Sequence, residues 1–155
     1  MMSDYNELLL DAYKGELFGE ALFLRMAERD EFADHTGTLR TLATIEKRTA
    51  GTLQPLIETA GLECDPEESR ALGRELGGGG GGGDWTGFVQ ALHDALPPFL
   101  ANFVRLRELA EDPHDRALSA LVAHELAINA FTELELAGHP DLSGVVLTRY
   151  LEGAP

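Results

Sequence analysis

The chain has 155 residues, 44% of them hydrophobic, which is the size of one ordinary domain with enough apolar material for a core. Its 27 acids against 12 lysines and arginines leave a net charge of −15, which argues against nucleic acid and anionic membrane as partners, since both call for a basic surface. Cys64 is the single cysteine, so an intramolecular disulfide and a cysteine-based metal cluster are both excluded.

The N-terminus is acidic and lacks the basic start and apolar centre of a signal peptide. No apolar run approaches the ~20 residues that span a bilayer. A cytoplasmic protein is expected. The first predicted helix runs from Ser3 or Asp4 to Phe32. Either residue suits the N-cap, and Glu7 stands where a capping box places its acid. The second runs from Thr36 to Ala60, with Gly61 as its stop. The third runs from Asp84, its N-cap, to Glu111. Pro97 and Pro98 inside it remove two backbone donors and are expected to kink or break it. The fourth starts near Asp112-Pro113 and ends at Gly138. A short helix near 142–151 closes the chain.

Helices one and two, and helices three and four, are joined by a few residues each, which makes each pair an antiparallel hairpin. Between the hairpins lie about twenty residues, 62–83, ending in the seven glycines Gly77–Gly83. Such a run is expected to be a flexible tether. No strand precedes it and no Gly-Lys-Ser/Thr follows, so it is not a phosphate-binding loop. Hairpin, long crossover, hairpin is the plan of a ferritin-like four-helix bundle within a single domain, 1–155.

Residues three and four apart share a helix face. The core stripe of the first helix holds Leu9, Ala12, Tyr13 and Phe23, interrupted by Glu16 and Glu20. That of the second holds Leu39, Leu42, Leu53 and Leu56, interrupted by Glu46 and Thr49. That of the fourth holds Leu118, Leu121, Val122 and Ile128, interrupted by Glu125. The third has an apolar stripe with no acid. Any one of these glutamates could reach solvent or pair with an arginine. Three at matching depth cannot satisfy one another while ionised, and a metal ion is the simplest partner.

Ala12-Tyr13-Lys14-Gly15-Glu16 resembles the Ala-x-x-Gly-Glu that supplies the first iron-binding glutamate of rubrerythrins. Glu46-Lys47-Arg48-Thr49-Ala50 resembles their Glu-x-x-His-Ala, and Glu125-Leu126-Ala127-Ile128 takes the place of the second Glu-x-x-His. The resemblance to the rubrerythrin and ferritin-like family implies a di-iron centre of four carboxylates and two histidines. Here Thr49 and Ile128 stand where the histidines belong and the third helix offers no glutamate on its core stripe, so three of six ligands are kept. The rubredoxin module of rubrerythrin is missing as well.

Glu16, Glu46 and Glu125 are therefore the candidate metal ligands, for iron or manganese and less readily zinc, with no metal at all as the other outcome. Glu20, His93 and His124 are weaker candidates. His93 and His124 read first as ordinary interfacial or surface histidines. One of them joining the three glutamates would make a rearranged one-metal site. Cys64, beside acids that raise its pKa, is not a reactive thiolate. Three functions follow: a ferritin-like protein with a degenerate site and a binding or structural role, expected as a homodimer; a non-haem metal oxidoreductase acting on peroxide, dioxygen or a small organic substrate; or an iron store, which needs a shell-forming oligomer.

Overall fold

The computed structural model describes residues 1–79 and 83–153, and among these it is all-helical with no strand. Six α-helices follow one another: α1 Asp4–Ala27, α2 Thr36–Thr59, α3 Pro66–Gly78, α4 Trp85–Leu109, α5 Arg116–Leu136 and α6 Pro140–Gly153. None is long and apolar enough to cross a membrane.

Local chemistry sets most of the boundaries. Ser3 caps α1, accepting from the Asn6 amide at 3.3 Å. Asp84 caps α4 as expected, accepting from the Gly87 amide at 2.8 Å. Gly61 follows α2 at φ +66° and Gly138 follows α5 at φ +83°, a conformation that costs other L-residues strain.

Several boundaries differ from expectation, among them those of α6, which runs Pro140–Gly153 where 142–151 was expected. α1 stops at Ala27, not Phe32, and a 3-10 turn over Asp30–His35 follows. The break carries Phe32 out of helical geometry and into the core, 3% exposed, against Trp85 and Phe88. α4 ends at Leu109 and not Glu111. α5 begins at Arg116 and not at Pro113, because Asp115 makes the cap with two amides, those of Ala117 and Leu118. Pro97 and Pro98 do not break α4, which runs unbroken across them. Both prolines are exposed, so the donors they lack are missing from the solvent side of the helix.

The largest departure is in the crossover, which is not a tether throughout. Asp65 caps a helix with Pro66 at its first position, and α3 extends through Gly77 and Gly78. It lies flat on α1 by means of glycine. A Cβ on Gly77 would sit 2.7 Å from the Leu22 carbonyl oxygen, and one on Gly73 would collide with that of Phe18. The central glycines, 80–82, lie outside the described residues.

α1 packs on α2, α2 on α5, α5 on α4 and α4 on α1, closing a cycle, while α3 covers α1 and α6 covers α5 and α2. The core is split into two apolar clusters. One holds Leu9, Tyr13, Leu17, Leu53, Phe103 and Leu121. The other holds Phe23, Leu39, Ile45, Leu96, Ile128 and Phe131. Along α2 and α5 the buried polar residues between these clusters are Glu46, Thr49, His124 and Glu125, and Glu16 of α1, at the margin of the first cluster, joins them, so a polar layer separates two greasy ones. Each fully buried Leu or Phe contributes about 1.5–3 kcal/mol. The polar layer contributes nothing of that kind and costs desolvation instead.

Candidate metal centre

Glu16 on α1 is 3% exposed, Glu46 on α2 8%, and Glu125 on α5 5%. All three are buried, as the stripes require. His124, next to Glu125 in sequence and one of the weaker candidates, is fully buried among them, so it is not a surface histidine. The reason lies in α5. A residue 100° from the core stripe reaches the surface only if the helix has an open side there. α5 is packed by α2, α4 and α6, and its buried arc is correspondingly wide.

The ring of His124 is oriented by its neighbours. Nδ1 meets the Leu121 carbonyl oxygen, which can only accept, so Nδ1 carries the proton. In the neutral ring that leaves a lone pair on Nε2. Nε2 faces three carboxylates: Glu16 Oε1 at 3.0 Å, Glu125 Oε2 at 3.3 Å and Glu46 Oε2 at 3.8 Å. None of these approaches has hydrogen-bond geometry. Nε2 of His124 and Oε2 of Glu16 are buried polar atoms without a protein partner. Phe103 packs on the ring at 5.8 Å between centroids.

Burial governs the acids. It pushes the Glu16 carboxyl up to about 8, helped by the charge of Glu125 and opposed by a hydrogen bond with Glu46. It raises Glu46 well above the usual carboxylate range, with Glu16 adding to the rise and His124 opposing it. Glu125 is pushed up to about 7 by burial, against the influence of His124. Without a cation, the layer holds protons that solvent-exposed glutamates would have lost.

Donor atoms of Glu16, His124 and Glu125 all lie within 4.8 Å of one another, and the residues are buried, so this trio could hold a metal ion. Glu46 stands beside it, its Oε2 3.8 Å from Nε2 of His124. Of the three weaker candidates His124 joins the trio, while Glu20 and His93 fall outside it. Glu20 is half-buried and acts on Glu46 only through its charge. His93 is half-buried, with Nδ1 2.9 Å from Thr132 Oγ1. Thr49 and Ile128 are buried too, but the Thr49 hydroxyl donates back to the Ile45 carbonyl at 2.8 Å.

One neighbour had no signal in the sequence. Tyr150 on α6 is half-buried, and its phenol pKa is raised by burial and then by the charges of Glu16 and Glu46. Its hydroxyl lies 3.5 Å from the Ala120 carbonyl oxygen. A cavity of about 870 Å³ between α1 and α4 reaches Glu16, Glu46 and Glu125. Cys64 has a raised pKa, first from its burial and then from Asp65 and Glu68. Comparisons with family models, curated proteins and solved structures match nothing to this chain.

Proposed function

We propose that the protein is a ferritin-like four-helix bundle that binds one divalent metal ion in a reduced carboxylate site. Glu16, Glu125 and His124 are its ligands, with Glu46 as a fourth ligand or as the hydrogen-bonding partner of Glu16. Two carboxylates and an imidazole suit iron or manganese, and zinc less specifically. The observation that carries this reading is the orphaned pair: Nε2 of His124, its lone pair set by the Leu121 carbonyl, and Oε2 of Glu16, both buried and unpartnered. A cation between them satisfies both and lets the carboxyls ionise.

The site differs from the di-iron set that the resemblance implies. Thr49 and Ile128 replace the two histidines, α4 brings no acid to the site, and the one histidine in it is shifted a residue ahead of Glu125. These ligands serve a single ion. A homodimer belongs to the same proposal, and a mass near that of a 24-subunit shell would favour iron storage.

The cavity leading to the glutamates favours a second reading, a non-haem oxidoreductase acting on peroxide, dioxygen or a small organic molecule. A bound redox-active ion would supply the electron transfer. The chain itself supplies a dry, buried set of donors and the passage to it.

The test is metal content after purification, repeated for Glu125→Ala and Glu46→Ala. Stoichiometric iron or manganese that is lost in Glu125→Ala supports the metal site. Metal-free protein that refuses added manganese, iron and zinc, together with variants at least as stable as the parent, refutes it and leaves a degenerate site.

A further inference from the structure

We infer that the cavity between α1 and α4 is a binding site for a neutral, aryl-rich small molecule. The chain has seven phenylalanines, and six of them, Phe18, Phe23, Phe32, Phe88, Phe99 and Phe103, line this one cavity. They come from α1, the 3-10 turn and α4, so no single helix stripe accounts for the gathering. Core packing alone does not account for it either, because Phe99 is 51% exposed in the opening. A volume of about 870 Å³ lies in the upper part of the range found for small-molecule sites.

Charge narrows the ligand. The cavity is bordered by the acids Asp11, Glu16, Glu46 and Glu125, and by a single cation, Arg29. Arg29 is already engaged: its Nε is 3.0 Å from Glu31, its Nη1 donates to the Gly77 carbonyl at 3.2 Å, and its guanidinium lies over the Phe32 ring. An anion such as a fatty acid would meet carboxylates and find no free cation among the described lining residues. A neutral aromatic molecule meets ring faces and edges, whose stacking adds about 0.5–1.5 kcal/mol per pair beyond the area buried. This inference deepens the proposed function and rests on it only for the inner end, where the ligand would lie beside the metal ligands Glu16 and Glu125.

The experiment is a fluorescence titration of the full chain with N-phenyl-1-naphthylamine, a neutral diaryl probe. Metal content is measured on the same samples. The expected result is saturable binding, displaced by 1-naphthol and not by dodecanoate. Ala95→Trp, which fills the cavity from its α4 wall, should weaken binding about tenfold or more at unchanged metal content. Leu142→Trp, on α6 outside the cavity, should leave it unchanged. Absence of saturable binding, equal binding by Ala95→Trp, or preferential displacement by dodecanoate overturns the inference. So does a parent dimer that Ala95→Trp converts to monomer, since a second copy would then occupy the groove. Probe binding by a chain that holds no metal and refuses added manganese, iron and zinc would refute the metal centre and leave the cavity site standing.

Discussion

The carboxylate of Glu46 lies against the bare backbone of Gly19. A Cβ on Gly19 would stand 2.9 Å from Cδ of Glu46 and 3.2 Å from each of its oxygens. The first helix thus makes room, just beyond Glu16, for an acid delivered by the second. Gly19→Ala gains up to about 1 kcal/mol of helix propensity, and the tip of Glu46 is free to swing, so the variant folds. Its Glu46 is driven away from Glu16 and His124. Calorimetric titration with manganese should show affinity reduced about tenfold at nearly unchanged melting temperature. Unchanged affinity would remove Glu46 from the site.

The pH dependence of the metal-free protein follows from the raised carboxyls. Glu16 moves from an ordinary 4.5 to about 8 and Glu125 to about 7, with Glu46 shifted the same way. The folded state therefore binds protons more tightly than the unfolded chain. The associated stability is fully present below about pH 4.5 and is lost as pH rises through about 7 and 8. Each tenfold change in proton affinity is about 1.4 kcal/mol, and the Glu16 and Glu125 shifts together give up about 4–5 such steps between pH 5 and pH 8.5, so Tm should fall by roughly 10–25 °C over that interval for a chain of this size. Bound metal needs the ionised carboxylates, and its stabilisation grows with pH over the same interval. Scanning calorimetry with and without manganese checks both signs.

The two histidines should behave differently. His124→Ala removes the buried nitrogen donor and should abolish stoichiometric metal. His93→Ala removes only the bond to Thr132, about 1 kcal/mol, and should keep full metal content. Elemental analysis of the two variants decides between them.

The seat of α3 is tested by two glycines. Gly73→Val drives a side chain into the Phe18 carbonyl of α1 and should destabilise by about 1–3 kcal/mol or detach α3. Gly15→Ala meets nothing within 4 Å and should stabilise by up to about 1 kcal/mol. Urea unfolding of both variants gives the comparison.

The helical spacing of apolar residues was enough to find the helices of the two hairpins and to place Glu16, Glu46 and Glu125 inside. Period and caps are local properties, and these stretches carry both. α3 escaped because its signal, Asp65-Pro66-Glu67-Glu68, precedes a glycine run that reads as tether, and only the closeness of α1 makes Gly73 and Gly77 useful in a helix. His124 was legible only as a weaker candidate, no better placed than His93, for a tertiary reason. Whether a residue at the margin of a stripe faces water depends on α6, whose packing over α5 no local pattern of α5 announces. Tyr150 escaped for the same reason, since its neighbours Glu16 and Glu46 are more than a hundred residues away in the chain.

Diffraction from crystals grown with manganese, recorded where that metal scatters anomalously, tests the central claim most directly. One anomalous peak per chain, within about 2.0–2.3 Å of Glu16 and Glu125 oxygens and His124 Nε2, is the expected result. A flat map at that position, with Nε2 of His124 hydrogen-bonded to the Glu16 carboxyl, would contradict it.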